Sequence, residues 1–305
     1  MATLLKAFCS ATLTTTCRNS VSFRVSGSGF LHFYLKKLRK SKTHMLENLL
    51  KGLREYQLSS CLEWRYTYPL LEEAGMEEWA VDILGWGFSD LGILPPCNLT
   101  SKREHLYQLW KSYIGRPMIL VGPSLGAAVA NDFAVNHPEA VEKLVLIDAS
   151  VYTEGTGKLS TLPKIIAYAG VSMLKSVPLR LYANYLCFDG ISFNSAIDWT
   201  SIGRLHCLLP WWEDATVDFM ISGGYNVCQQ IQQIKQETLI IWGENDQIIS
   251  NTLAMRLNTE LQNSSLHQIP NAGHLPHVEK PDSVTNLIVN FVGEGKLTEK
   301  ISVYK

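Results

Sequence analysis

The amino-acid sequence predicts an α/β fold, in which a mostly parallel sheet is covered by helices on both faces. Three observations predict this class. Short apolar runs alternate along much of the chain with segments of helical spacing. The run at residues 118–121 enters a Gly-Pro-Ser-Leu-Gly turn and leaves as an alanine-rich helix, which makes a strand, a sharp corner and a helix. A length of 305 residues with 46% hydrophobic content is enough for one domain that carries an insertion.

The first 46 residues form a basic segment, with Lys and Arg among many Ser and Thr but no Asp or Glu. This composition is typical of an organelle transit peptide, although a disordered basic leader would look the same. The density of Ser and Thr over residues 10–28 favours a plastid over a mitochondrion. We therefore predict a chloroplast protein, with the mitochondrion as the alternative.

Residues 30–54 interleave Leu, Phe and Tyr with Lys and Arg, and they have the spacing of a basic amphipathic helix. Such a helix either packs its apolar face on the domain or binds an anionic membrane surface. Both interpretations stay open, so a peripheral membrane contact through residues 30–54 is one of the predicted interactions.

Local patterns define the first half of the core. Residues 61–75 have the apolar spacing of a helix that ends at a glycine, and residues 78–82 form a short strand. Ser101–Glu104 is a capping box that begins the next helix, and Gly115 is its stop signal.

The alternation of strands and helices continues after the corner and is interrupted once. A helix over residues 124–136 is followed by a buried strand over 143–148. Strands return at residues 238–242 and 265–269, and Pro281 begins a final helix.

Residues 151–236 contain no convincing strand but several helical segments rich in Leu, Tyr and Trp. We interpret them as an inserted helical cap, whose apolar character favours a substrate with a hydrophobic part. Trp211 and Trp212 are explained equally well as packing residues. The predicted organisation is a leader over 1–46, a first part of the core over 47–150, the cap over 151–236 and a second part of the core over 237–305.

The overall composition excludes several classes of function. A net charge of −1 argues against a nucleic acid as partner. Seven cysteines, an odd number without paired short spacings, predict reduced thiols rather than a disulfide framework or a zinc site. No apolar stretch approaches the roughly 18 to 20 residues that span a bilayer. Neither a metal ion nor an organic cofactor is implied, and the oligomeric state is left open.

Ser124 stands at the corner between the strand and the helix. Gly122 and Gly126 let these two elements approach closely, which lifts the Ser124 hydroxyl clear of the backbone. The Leu125 N–H begins the helix, where unpaired donors and the helix dipole favour an oxyanion. The pattern predicts Ser124 as a nucleophile and Leu125 as an oxyanion donor, with a purely structural turn as the alternative.

With its flanks, this corner resembles the nucleophile elbow of the α/β-hydrolase superfamily, and the resemblance covers about residues 59–293. It implies that an acid and then a histidine follow the serine along the chain. Asp246, after a predicted strand and within Gly-Glu-Asn-Asp, stands in the place of the acid. His274, within a Gly-His pair after the next strand, stands in the place of the base.

Two further residues are alternatives for these roles. Asp148 also ends a strand, and some relatives take their acid from that position. His277 lies three residues after His274 but lacks the Gly-His pattern. The run Asp82–Asp90 resembles the loop after the fourth strand in relatives of epoxide hydrolases, dehalogenases and C–C bond hydrolases, and we interpret it as architecture.

The implied chemistry is hydrolysis by a catalytic triad of Ser124, Asp246 and His274. A serine hydroxyl needs a base to remove its proton, and the base needs an acid to fix its tautomer. Relatives that open epoxides or displace halide use aspartate at the elbow. A serine there favours hydrolysis of a hydrophobic carboxylic ester through an acyl-enzyme, ahead of thioesters and C–C bonds.

The resemblance stops before Ser59. Relatives place about three strands there, and the third ends in His-Gly, whose loop gives a second oxyanion donor. The corresponding residues 49–60 contain no histidine and no strand pattern. We therefore expect the N-terminal strands to be missing or replaced, with an open sheet edge. A weak or catalytically silent binding protein of the same fold is the alternative function.

Overall fold

The computed structural model describes residues 12–16, 61–88, 91–156, 160–161 and 163–302. Six strands form one sheet in the order β2-β1-β3-β4-β5-β6. The strands are β1 (Thr12–Thr16), β2 (Glu77–Val81), β3 (Met118–Pro123), β4 (Val141–Ile147), β5 (Glu237–Gly243) and β6 (Ser264–Ile269).

The α-helices of the described residues alternate with these strands in the core and follow one another in the insertion. They are α1 (Thr67–Glu73), α2 (Leu99–Leu109), α3 (Leu125–Asn136), α4 (Lys164–Leu174), α5 (Val177–Cys187), α6 (Phe193–Arg204), α7 (Trp212–Ile221), α8 (Asn251–Glu260), α9 (Pro276–Glu279) and α10 (Pro281–Ser302). Short 3₁₀ turns lie at Cys61–Trp64, Pro138–Ala140, His206–Leu208 and Cys228–Gln233, and a π turn extends α2 over Trp110–Ile114.

Strands β3 to β6 are parallel, as the alternation of strands and helices predicts. All six residues of β3 are buried, and β4 and β5 are buried along nearly their whole length. Continuous apolar runs are typical of parallel strands that helices cover on both faces. The carboxyl ends of β3, β4 and β5 therefore meet at one edge of the sheet.

The two faces of the sheet carry separate apolar layers. Leu144 and Leu146 of β4 point towards α3 and its alanines, together with Phe133. The alternate residues of β4 point to the other face, where Leu71 of α1 and Ile288 of α10 pack. This period of two along a strand and the two helical layers confirm the predicted fold class.

Strand β1 occupies the position between β2 and β3, and it runs antiparallel to both. We expected an open edge here, and for these five residues that expectation is wrong. Thr12–Thr16 is rich in β-branched threonine, which favours strands, and it supplies backbone partners to two edges at once. The strand lies inside residues 1–46, predicted as a leader; the rest of that range and residues 49–60 lie outside the described residues.

The described part of residues 151–236 forms α4 to α7 and short 3₁₀ turns, with no strand. Helix α7 packs against α4, and α5 packs against α6. None of the helices in the described ranges combines the length and the apolar character that crossing a bilayer requires.

The predicted start of α2 is wrong by a few residues. Asn98, rather than Ser101, is the N-cap, and its side chain accepts a hydrogen bond from the Ser101 N–H. Asparagine and serine are equally good caps, so the choice depends on how the preceding loop enters the helix. Gly115 ends the helical segment with a left-handed backbone at φ 62°, as predicted.

Candidate active site

Ser124 occupies a strained corner between β3 and α3. Its backbone has φ 48° and ψ −115°, a left-handed conformation that is costly for a residue with a side chain. The Ser124 N–H donates to the Ile147 carbonyl, and the Ser124 carbonyl accepts from Ala127 and Ser150. These hydrogen bonds hold the corner, and the strain is of the kind found where a nucleophile is presented.

Gly122 is required at this corner for a packing reason. A Cβ atom there would overlap the carbonyl of Gly126 in the first turn of α3. The backbones of β3 and α3 therefore touch directly beside Ser124. This contact is the close approach that the two glycines predict.

Asp246, His274 and Ser124 form a continuous hydrogen-bonded chain. The distance from Asp246 Oδ2 to His274 Nδ1 is 2.8 Å, and the distance from His274 Nε2 to Ser124 Oγ is also 2.8 Å. All three side chains are buried or nearly so. The geometry matches a neutral imidazole that donates through Nδ1 to the carboxylate and accepts the serine hydroxyl at Nε2.

Asp246 is fixed by the backbone that follows it. Its Oδ1 accepts the N–H groups of Ile248 at 2.7 Å and Ile249 at 3.0 Å. Its Oδ2 is left for His274. The two oxygens therefore have separate tasks, and the carboxylate cannot rotate without losing three hydrogen bonds.

The loop that carries His274 is held between the core and the insertion. A Cβ at Gly243 would overlap the Gly273 carbonyl, so β5 and this loop meet backbone to backbone. The His274 N–H donates to the Cys187 carbonyl at the end of α5, at 2.7 Å. The base is thus positioned by both parts of the protein.

Glu279 joins the same loop to the insertion a second time. Its Oε2 accepts the Gly273 N–H at 2.7 Å, and its Oε1 accepts the Asp189 N–H at 2.8 Å. One carboxylate therefore bridges the residue before the base and the residues just after α5. The role of Glu279 is not predictable from the sequence, because nothing in its local pattern indicates two distant backbone partners.

The pKa values of the acid and the base are displaced in opposite directions. Burial alone would lower the pKa of His274, but the hydrogen bond from its ring to Asp246 and the negative charge of Asp246 raise it above the ordinary value. Burial alone would raise the pKa of Asp246, but the hydrogen bond and charge of His274 keep it below the ordinary value. Both directions favour an ionised Asp246 beside His274.

Comparison with known proteins agrees with this geometry. Residues 64–281 match the family described as serine aminopeptidase, S33. The alpha/beta hydrolase domain-containing protein VTE7 of Arabidopsis thaliana is 63% identical over 239 residues, which cover 78% of this chain and 72% of that protein. The chain belongs to this family of α/β-hydrolases. One of its relatives is therefore a plant protein, and the family supports a hydrolase activity.

More distant relatives share the α/β-hydrolase fold. A 2-hydroxy-6-oxononadienedioate/2-hydroxy-6-oxononatrienedioate hydrolase of Escherichia coli is 28% identical, over 73% of this chain and 78% of that protein. A crystal structure of the meta-cleavage product hydrolase CumD superposes with a TM-score of 0.63 and 21% identity, over 78% of this chain and 87% of that one. At this identity the superposition shows the fold alone.

Leu125, the predicted oxyanion donor, lies within the described residues. Leu125 is the first residue of α3, so its N–H has no carbonyl partner one turn back within the helix. It adjoins Ser124 at the positive end of the helix dipole. The counterpart expected before Ser59 lies outside the described residues, as does the basic segment 30–54.

Neither alternative, Asp148 or His277, takes part in the two hydrogen bonds that run from Asp246 through His274 to Ser124. The His277 ring is buried against Trp64, with ring centroids 4.6 Å apart, and its Nε2 lies 3.3 Å from a Glu63 oxygen. Asp148 is buried beside Asp246, and its Oδ1 accepts the Gly243 N–H at 3.0 Å. Asp246 and His274 are the residues that the structure brings to Ser124.

The contacts of the loop that begins at Asp82 and of Trp211 and Trp212 are packing and loop-forming contacts. Asp82 accepts a hydrogen bond from the Phe88 N–H at 2.9 Å, and a Cβ at Gly87 would overlap the Asp82 carboxylate. This supports the architectural interpretation of the 82–90 loop. Trp212 is buried in the main apolar layer, and Trp211 packs against that layer.

Proposed function

We propose that this protein hydrolyses a carboxylic ester with a hydrophobic group through an acyl-enzyme on Ser124. The observation that carries the proposal is the unbroken chain of two 2.8 Å hydrogen bonds from Asp246 through His274 to the Ser124 hydroxyl. It gives a poor nucleophile a base, and it gives the base a fixed tautomer.

In the first half of the reaction, His274 Nε2 removes the Ser124 proton while Oγ attacks the ester carbonyl. The carbonyl oxygen becomes an anion, and the Leu125 N–H at the start of α3 donates a hydrogen bond to it. The charged imidazole is stabilised by Asp246 and then gives its proton to the leaving alcohol. The acyl group remains on Ser124.

In the second half, water replaces the alcohol. His274 takes a proton from the water, whose oxygen attacks the acyl carbonyl, and the same N–H group again faces the developing anion. Collapse of this intermediate releases the carboxylic acid and returns the proton to Ser124 Oγ. Every step uses the substrate, water, the side chains of Ser124, Asp246 and His274, and the backbone N–H of Leu125.

Two features support an ester with a hydrophobic part. The elbow carries a serine, whereas aspartate is the nucleophile of the relatives that open epoxides or displace halide. Helix α5 has the sequence VPLRLYANYLC and ends at Cys187, whose carbonyl binds the N–H of the base. A helix rich in Leu and Tyr therefore ends beside the site, which favours a substrate with an apolar part.

A fluorophosphonate probe tests the nucleophile. We expect labelling of the full chain, loss of labelling in Ser124→Ala, and unchanged labelling in Ser265→Ala, an exposed serine on β6. Turnover of p-nitrophenyl esters should increase from acetate to longer acyl chains. Equal labelling of wild type and Ser124→Ala would refute the proposal, and labelling of neither would favour the silent binding protein.

Cleavage of a C–C bond is the second candidate. It is supported by the Escherichia coli relative, which is named for 2-hydroxy-6-oxononadienedioate and aligns over 73% of this chain. The same triad would serve, because C–C hydrolysis also needs a base and an oxyanion donor. Turnover of that compound, lost in Ser124→Ala and faster than any ester, would favour this candidate over the esterase.

A plastid location also belongs to the proposal. It is supported by the acid-free, Ser- and Thr-rich first 46 residues and by the plant relative. Fusion of the full chain to a fluorescent protein in leaf cells should give chloroplast signal. Mitochondrial signal would select the alternative, and signal in neither organelle would refute both.

A further inference from the structure

Asp148 is a buried acid that the proposed mechanism does not use. It follows β4 directly, its backbone has φ 43°, and its side chain is fully buried. Its N–H donates to the Ile241 carbonyl at 2.9 Å, and its Oδ1 accepts the Gly243 N–H at 3.0 Å. A strained backbone that is held this firmly fixes the direction of the carboxyl group.

The carboxyl group of Asp148 lies against the triad. One side-chain oxygen of Asp148, one of Asp246 and one ring nitrogen of His274 all lie within 4.8 Å of one another. Two ionised carboxylates at this distance in a buried site would repel each other strongly. A protonated His274 carries a single positive charge, which could neutralise only one of the two negative charges. One of the two acids is therefore expected to hold a proton.

The hydrogen bonds indicate which acid holds it. Asp246 accepts three donors, from Ile248, Ile249 and His274, and these favour its ionised form. Asp148 accepts one, at Oδ1. Its Oδ2 is buried, and within the described part of the chain no donor reaches it. An ionised Asp148 would leave that oxygen charged and unsatisfied, whereas a protonated Oδ2 is itself a donor.

We propose that Asp148 is kept as a neutral carboxylic acid whose Oδ2–H donates a hydrogen bond to Asp246, which makes Asp148 a positioning residue for the triad. It holds the Asp246 carboxylate with a hydrogen bond beyond those of Ile248, Ile249 and His274, without adding a second negative charge. His274 then faces one carboxylate rather than two. The effect on turnover rests on the proposed hydrolase function, but the protonation state does not.

The surroundings of Asp148 support its neutral form. Burial raises the pKa of Asp148 well above the ordinary value, and the charge of Asp246 raises it further. The Glu279 carboxylate acts in the same direction, whereas the Gly243 N–H acts in the opposite one. His274 is the basic group that faces the pair, and its ring already donates to Asp246.

Two substitutions separate a neutral Asp148 from an ionised one. Asp148→Asn has the shape of the neutral acid, with an oxygen for Gly243 and an N–H for Asp246. We expect its kcat/KM and the acidic limb of its pH profile to match those of the wild type. If Asp148 were ionised, Asn would remove a negative charge beside His274, and the limb would move to lower pH.

Asp148→Ala removes both hydrogen bonds. We expect kcat to fall about tenfold with KM little changed, since a hydrogen bond to a charged group is lost. Recovery of wild-type kcat in the Asn variant would assign the effect to the hydrogen bond rather than to packing. Equal loss in Asn and Ala, or a shifted limb in Asn, would overturn the proposal.

Infrared difference spectroscopy tests the proton without turnover. Subtraction of the Asp148→Asn spectrum from that of the wild type should leave the C=O stretching band of a protonated carboxylic acid. A carboxylate band in its place would refute a neutral Asp148 even in an active enzyme. A protonated band in a protein without hydrolase activity would refute the proposed function alone.

Discussion

Burial and Asp246 act on the proton affinity of His274 in opposite directions. Burial lowers the pKa of the ring, and the hydrogen bond and charge of Asp246 reverse that effect. The base works only in its neutral form, so activity is lost as pH falls through its pKa. We expect the acidic limb of kcat/KM to lie above the pH at which an ordinary histidine titrates.

Asp246→Asn should change both the rate and the pH profile. The amide keeps an oxygen for Ile248 and Ile249 but removes the charge and favours the wrong tautomer of His274. We expect kcat to fall by about 10⁴, as in comparable triads, and the remaining activity to have its acidic limb at lower pH. Glu244→Gln removes an exposed charge from the same loop and should alter neither. An unchanged limb in Asp246→Asn would contradict the assignment.

The corner between β3 and α3 has no room for a side chain at Gly122. In Gly122→Ala, the new Cβ would overlap the Gly126 carbonyl, so the helix would have to move away from the strand. We expect a loss of about 1 to 3 kcal/mol in the free energy of unfolding, measured in urea, and a loss of fluorophosphonate labelling.

Gly170→Ala is the matched control for this substitution. Gly170 lies within α4, and a Cβ there would meet nothing within 4 Å. Alanine has the higher helix propensity, so this variant should gain up to about 1 kcal/mol and keep its labelling. If both variants behaved alike, close packing at the corner would not be the reason for Gly122.

The bridge made by Glu279 links the helical insertion to the loop of the base. In Glu279→Ala, the N–H groups of Asp189 and Gly273 lose their acceptor. We expect faster hydrogen exchange at both amides and a several-fold lower kcat, because His274 follows Gly273 directly. Glu279→Gln keeps one acceptor oxygen and should exchange faster at one amide only. Unchanged exchange in the alanine variant would contradict the bridge.

Much of the core and of the site was predictable because the signals are local. The apolar runs of β3 to β6, the glycines around Ser124 and the contexts of Asp246 and His274 each lie within a few residues. The partners of Glu279 and the neutral state expected for Asp148 depend on residues far away in sequence. The N-cap at Asn98 was not predicted because Ser101, three positions later, is an equally good cap. The path of the preceding loop determines which of the two residues begins the helix.

Strand β1 was also beyond local prediction. Thr12–Thr16 has the β-branched composition of a strand, but it lies in a Ser- and Thr-rich segment whose charge pattern indicates a leader. Its conformation is fixed by the two edges that it joins, β2 and β3. The local sequence gives this segment a strand propensity, but pairing with β2 and β3 is what makes it a strand.

In the chain that keeps its first 46 residues, deletion of residues 1–16 should therefore affect the whole protein. The deletion would remove β1 from between β2 and β3 and leave the backbone groups on the facing edges of these two strands unpaired. Open strand edges favour association with other chains. We expect a lower unfolding temperature and aggregates in light scattering. A deletion of residues 1–11, which keeps β1, is the control. Identical behaviour of the two truncated chains would contradict a structural role for Thr12–Thr16.

The place of β1 in the sheet also sets an order of events during synthesis. The ribosome makes Thr12–Thr16 before either of its neighbours, yet the strand pairs with Val121 only after more than a third of the chain has been made. Before that point its one available partner among these two neighbours is β2, which is complete once Val81 has been made. The first strand in the described part of the chain can thus pair on both of its edges only once β3 has been made, and a chaperone or a protease has that interval in which to act.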